Sequence, residues 1–245
     1  MYFQDYIWFM LAIFACMILS VIASGRVKTS FNKHNQSRCS SGLTGCDTVN
    51  RLLRANDIYD ISVGSVRGFL TDHYHPAKSI VNLSDSTYTS NSVAAVTVAA
   101  HEVGHVMQGR DGYALYRIRT ALVPVVNLGS RLAMPLVLIG LLFDWFYNSA
   151  DTSIGFYIAI AGVILYGGSL LFALVTLPVE LNASKRARKM LLAEGILTQD
   201  EIPAAKEVLS AASLTYLVSL LASLVYFLRF LVYVLTIFGR RNNRR

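Results

Sequence analysis

Charged residues are scarce in this chain: Asp, Glu, Lys and Arg make up 15% of its 245 residues, against roughly a quarter in soluble domains. With 54% of positions apolar and a mean hydropathy of +0.46, that shortage excludes an ordinary soluble globule and a disordered chain. It points to a polytopic membrane protein with a modest water-facing part. Cysteine is rarer still. Three cysteines cannot staple a disulfide-dense secreted scaffold, and five prolines with sixteen glycines exclude a collagen-like chain. Cys39 and Cys46 have six residues between them, a spacing that fits neither a redox pair nor a usual zinc site. They read as free thiols in a reducing compartment, whereas a disulfide would favour the opposite topology. Cys16 lies inside an apolar run and reads as a packing residue.

Four apolar stretches reach the roughly 20 residues that a bilayer crossing needs: Tyr6 to Ala23, Ala121 to Phe143, Ile154 to Leu177 and Leu214 to Phe238. No Lys or Arg precedes the first, so it reads as a retained anchor rather than a secretory signal. The second contains Arg131, Pro124 and Pro135, and a kink or a polar neighbour is expected there. Two spans separate the polar segment that follows the first stretch from the polar segment Pro178 to Ala212, so both face one compartment. They hold Arg26, Lys28, Lys33 and Arg38, then Arg110, Arg117 and Arg119, then Lys185, Arg186, Arg188 and Lys189. The short loop Asp144 to Ser153 has two aspartates and no basic residue. The net charge of +7 is therefore read as a positive-inside bias rather than a nucleic-acid surface. No nucleic acid is expected as a partner, and the polar segments are expected in the cytoplasm. The tail Arg240, Arg241, Arg244 and Arg245 argues the other way: either the fourth stretch does not fully cross or the topology is inverted.

The chemistry is concentrated in the run from Thr89 to Gly109. Polar cap candidates at Ser90 to Ser92 precede an alanine-rich apolar run, and Gly109 sits where a helix would end, giving a helix of about 17 residues. His101 and His105, four apart, emerge on one face of that helix and can share one metal ion. Glu102, rotated about 100° from His101, can flank the ion without ligating it and deprotonate a water there. This is the HExxH pattern. With five His and five Glu in the chain, chance would produce it about twice in a thousand such sequences.

A catalytic zinc ion wants three protein ligands and an open position. In the extended HExxHxxGxxH or D form, the glycine would fall at Gln108 and the third ligand at Asp111; the glycine stands instead at Gly109, so the fit is poor. In the glutamate form the ligand comes from a later helix. Glu194 precedes Gly195, a helix end, and Glu201 resembles a capping-box partner of Thr198. Glu180 has no such structural explanation and is the better candidate, with Pro178 at a plausible first helical position and Ser184 one turn on, where it could orient a ligand.

At these residues the sequence resembles the YugP-like putative neutral zinc metallopeptidases of bacterial membranes. The resemblance runs from about Gly42 to Arg229 and rests on Ser41 to Gly45, Leu70 to Tyr74 with Pro76, Val93 through the HEVGH core to Gln108, Gly112 with Tyr113, Leu177 to Ala187 and Ala204 to Tyr216. The later glutamate is also similar to the E-x-x-A-D element of membrane gluzincins such as the CAAX prenyl proteases and HtpX, with Ser184 in place of the Asp. His75 stands where the family is expected to carry an Asp. The segment from Asp72 to Leu83 reads as a hairpin, with an edge strand near the metal helix able to take an extended peptide. His73 or Tyr74 could donate to an oxyanion there.

The expected protein is mainly α and polytopic, with about four transmembrane helices and a zincin-like metal helix beside a small β-hairpin. Residues 1–23 form the anchor, 24–118 the catalytic segment, 119–177 a transmembrane pair, 178–213 the segment with the third ligand, and 214–245 the last span and basic tail. One zinc ion held by His101, His105 and Glu180, with Glu102 as base, would hydrolyse a peptide or membrane-protein substrate at the lipid bilayer, in a bacterial cell membrane with the site on the cytoplasmic side. The alternative is a metal-stabilised scaffold or regulatory membrane protein without turnover.

Overall fold

A computed structural model describes residues 2–147 and 154–242. Helix α1 (Tyr2–Asn35) is followed by α2 (Gly45–Ala55) and then by strands β1 (Ser62–Val66) and β2 (His73–His75). A 3₁₀ turn (Pro76–Lys78) leads into β3 (Ile80–Ser84), and helices α3 (Val93–Arg110), α4 (Ala114–Tyr147), α5 (Ile154–Ala193) and α6 (Ile202–Asn242) complete the chain. The chain is mainly α, with one small sheet. It divides into two compact units, one of Met1–Ser20, Ile118–Thr176 and Tyr216–Arg245, the other of Val21–Arg117 and Leu177–Thr215.

The first unit is built for lipid. Among the described residues three helices are long and apolar enough to cross a membrane, and α4 makes a fourth if its two halves are one span. Their large side chains point outward: Trp8 is 66% exposed and Phe14 60%, a pattern that only a hydrocarbon surround makes stable. The expected kink is present, since α4 bends by 41° between Gly129 and Arg131, a stretch flanked by Pro124 and Pro135, which lack backbone donors. Inside this unit Val137, Ala159, Val163 and Val234 form a buried core, and Arg229 lies 4.9 Å from the centre of the Phe9 ring. Most of the expected acidic loop, at 148–153, and the end of the tail, at 243–245, lie outside the described residues.

The second unit holds the sheet, in the order β1-β3-β2. β2 and β3 form the expected antiparallel hairpin, with Tyr74 opposite Val81. β1 is an addition, parallel to β3; its sequence, Ser-Val-Gly-Ser-Val, has too little apolar alternation to announce a strand. The strands alternate faces, so Val81 and Leu83 turn toward α2 and α3 and join Leu52, Val96, Val103 and Leu191 in one core. Ser92 caps α3 by accepting from the Ala95 N–H at 3.1 Å.

Two boundaries differ from expectation. α3 does not end at Gly109 but runs to Arg110, and Gly112 supplies the left-handed residue of the turn at φ +64°. Pro178 is not the first residue of a new helix; it lies inside α5, which is unbroken from Ile154 to Ala193. A proline in a helix forfeits one backbone bond. The long apolar stretch before it and the buried face of Val179, Ala183 and Ala187 after it outweigh that loss. Thr198 and Glu201 do pair as a cap, the Thr198 N–H donating to Glu201 at 2.8 Å. Cys39 is buried, Cys46 is half-buried, and both are free.

Candidate metal centre

Helices α3 and α5 cross backbone to backbone. A Cβ at Gly104 would stand 2.6 Å from the carbonyl oxygen of Ala183, inside van der Waals contact, so only glycine permits the approach. The crossing brings one turn of each helix together. His101 Nε2 lies 3.1 Å from Glu180 Oε2, and His105 Nε2 lies 3.6 Å from the same oxygen. The three donor atoms fall within 4.8 Å of one another, and no other group of three or more His, Cys, Asp or Glu among the described residues gathers in this way.

The donor set suits zinc: two imidazoles and one carboxylate, the three protein ligands that a catalytic zinc site combines with an open position. The far sides of both rings are engaged as well. His105 Nδ1 is 3.0 Å from Gln108 Oε1, and His101 Nδ1 is 3.3 Å from the Ser184 hydroxyl. Those contacts turn each Nε2 lone pair toward the cluster. His101 is half-buried, while His105 and Glu180 are buried, so a cation held there would also compensate a carboxylate removed from water.

Glu102 shares the helix but not the ligand set. It is 7% exposed, and its Oε2 accepts from the backbone N–H of Tyr74 on β2 at 2.9 Å. Burial pushes its pKa up from 4.5 to about 7, against the opposing His101 imidazole and the Tyr74 N–H, with the Glu180 and Asp72 carboxylates adding to the rise. A carboxyl poised near neutrality is the state in which a proton is taken up and released most readily.

Of the residues singled out in the sequence, His101, Glu102, His105, Glu180 and Ser184 come together. Tyr74 reaches the site through its main chain, while its ring packs against the core. His73 is not brought in: it is exposed, with Nδ1 2.9 Å from the Thr71 carbonyl oxygen and Nε2 3.1 Å from Asn82 Nδ2. Asp111 caps α3 and ion-pairs with Arg186, away from the donor atoms. Sequence reasoning missed Gln108 as a partner of His105, although it follows at i+3, the spacing of facing side chains. It also missed Tyr116, whose ring stacks on His105 at 6.1 Å between centres.

The family model described as "Putative neutral zinc metallopeptidase" matches residues 9–235. Over 229 residues the chain is 41% identical to the "Putative membrane protease YugP" of Bacillus subtilis (strain 168), covering 94% of this chain and 96% of that protein. No solved structure matches.

Proposed function

The chain belongs to the putative neutral zinc metallopeptidase family, and from that premise we propose that it is a membrane-embedded zinc endopeptidase of gluzincin type, with the HExxH element of α3 at its centre. The observation that supports the reading best is the division of labour at the site. Three donors cluster, while a second acid, Glu102, is held beside them by a separate hydrogen bond. A purely structural metal site has no use for that acid.

One zinc ion held by His101, His105 and Glu180 would polarise the scissile carbonyl and make water a nucleophile near pH 7. Glu102, held through Oε2 by the Tyr74 N–H, would take the proton of the attacking water. The same carboxyl then gives the proton to the departing amide nitrogen. Ser184 Oγ lies 3.3 Å from His101 Nδ1, and with Nε2 given to a metal it would accept from that nitrogen and fix the ring. β2 is an edge strand whose Tyr74 N–H is already given to Glu102, so an extended peptide would lie beside it through the remaining main-chain groups. Along the chain Glu180 comes only four residues after Thr176, where the share of α5 in the first unit ends, which supports membrane-anchored or juxtamembrane substrates.

The test is cleavage of one peptide sequence in two forms, free and attached to a transmembrane segment, in vesicles with and without chelator. The anchored form is expected to be cut at least several-fold faster, and both cleavages should stop on chelation. Zinc-loaded protein that cuts neither form would favour the scaffold reading, and chelator-resistant cleavage would exclude zinc from the reaction.

The basic residues flanking the spans support a bacterial cell membrane location with the site on the cytoplasmic side. In intact cells, and in a background lacking the native cysteines, Thr89→Cys should resist a membrane-impermeant maleimide while Ser149→Cys reacts. Thr89 is exposed, so protection there reports sidedness and not burial; Ser149 lies outside the described residues. The reverse labelling pattern would invert the topology.

A further inference from the structure

The geometry assigns Gln108 as the positioning residue of the metal site: its amide oxygen sets the ring of His105 while its amide nitrogen ties the metal helix to the helix that carries Glu180. This inference rests on the metal-site reading above and extends it to a residue that touches neither metal nor substrate.

Gln108 is fully buried at 0% exposure, an expensive place for an amide unless its bonds are made. They are made. Nε2 donates to the Val179 carbonyl oxygen at 2.8 Å and to Asn182 Oδ1 at 3.0 Å. Two acceptors on that side fix which end of the amide is nitrogen. Asn182 is itself oriented, because its Oδ1 also accepts from Arg186 Nε at 2.9 Å. With nitrogen so placed, Gln108 Oε1 is the atom facing His105 Nδ1 at 3.0 Å. An oxygen there can only accept, so Nδ1 is the nitrogen that carries the proton and Nε2, 3.6 Å from Glu180, is the one left to serve as a metal ligand.

Zinc histidines commonly donate to a carboxylate or a backbone carbonyl. The amide here does something that neither of those can do. A carboxylate would accept from His105 at least as well, yet it has no hydrogen to give Val179 or Asn182 and would face two acceptors with its own oxygen. The requirement for an acceptor on one side and a donor on the other selects Gln. Its length matters too, since the side chain spans from α3 to α5 at the crossing fixed by Gly104 and Ala183. Gln108 therefore couples two features that the site needs together: the angle of one ligand ring and the approach of the helix bearing the third ligand.

The test compares full-length wild type, Gln108→Met and Gln108→Glu in detergent or nanodiscs. Zinc affinity is measured by chelator competition and ligand geometry by the visible spectrum of the cobalt-loaded protein. Leu191→Ala is the control, a core residue away from the ligands that lowers stability without touching the site. Both Gln108 variants should bind zinc on the order of 10- to 100-fold more weakly and shift the cobalt bands. Leu191→Ala should lower the unfolding temperature of the metal-free protein while leaving affinity and bands unchanged. If wild type takes up no zinc, the metal-site reading falls and this inference falls with it. If wild type binds and both variants bind within twofold of it, the inference alone is wrong. If Gln108→Glu binds as tightly as wild type while Gln108→Met does not, the coupling to α5 is refuted. If Leu191→Ala weakens zinc as much as the Gln108 variants do, stability and not positioning explains the loss.

Discussion

Replacing Glu102 by Gln should leave the zinc content near that of wild type and reduce peptide turnover by a hundredfold or more. The amide keeps the shape of the side chain and can still accept from the Tyr74 N–H, so the ligand helix and its neighbours have no reason to move. What is lost is the lone pair that takes the proton from water, and a missing general base typically costs 10²- to 10⁴-fold. The lower end corresponds to about 2.7 kcal/mol of barrier. The measurement is kcat on zinc-quantified protein. Full activity in Glu102→Gln would remove Glu102 from the reaction.

The same substitution has a second signature in the metal-free protein. Burial raises the Glu102 pKa from 4.5 to about 7, so folding favours the protonated acid. A raised carboxyl pKa contributes stability that is fully present below the unfolded value and lost as pH climbs through the folded one. Metal-free wild type should therefore lose on the order of 3 kcal/mol between pH 4.5 and 7 from this group alone. Glu102→Gln, neutral at every pH, should not. The difference between the two unfolding curves isolates Glu102 from the other carboxylates. It should be smallest at low pH and grow toward neutrality, with the Gln variant the more stable of the two above pH 7.

The parts of this molecule that could be read from sequence are those with a local pattern. The His101 and His105 spacing, the Ser92 cap, the hairpin around Pro76 and the apolar spans each repeat a rule within a few residues. Glu180 was reachable in a different way: of the five glutamates, Glu102 belongs to the HExxH pattern, and Glu194 and Glu201 have a helix end and a cap to explain them. The failures are non-local. β1 pairs with β3 across a chain separation that leaves no mark in the sequence Ser-Val-Gly-Ser-Val. Pro178 carries a helix-start signal, yet tertiary packing keeps α5 unbroken through it. Gln108 meets Asn182 74 positions later, a contact that no periodicity reports. His73 and Tyr74 were equal candidates in the sequence because both are polar aromatics beside the metal helix. The strand separates them: neighbouring side chains point to opposite faces, and the contact that reaches Glu102 is a backbone N–H, which almost any residue at 74 would supply.

Glu180→Ala should empty the site. The substitution removes the only charged member of the donor cluster and leaves two histidines on one helix, too few for a catalytic zinc site. Zinc content and peptidase activity should fall together, unlike in Glu102→Gln, where activity falls alone. A stability measurement separates ligand loss from general damage. Ligand that binds only the folded state stabilises it by about 4 kcal/mol at a thousandfold excess over Kd, so added zinc should raise the unfolding temperature of wild type and do little for Glu180→Ala. Asp111→Ala is the matched control. Its carboxylate pairs with Arg186 at the end of α3, it is the acid that the competing HExxHxxGxxD reading would recruit, and its removal should leave zinc content and the zinc-dependent shift near wild type. Because Arg186 also donates to Asn182, a loss of a few tenths of a kcal/mol in metal-free stability is expected, in line with an exposed ion pair. If Asp111→Ala loses zinc while Glu180→Ala keeps it, the third ligand comes from α3 and not from α5, and the role given to the helix crossing at Gly104 and Ala183 is wrong.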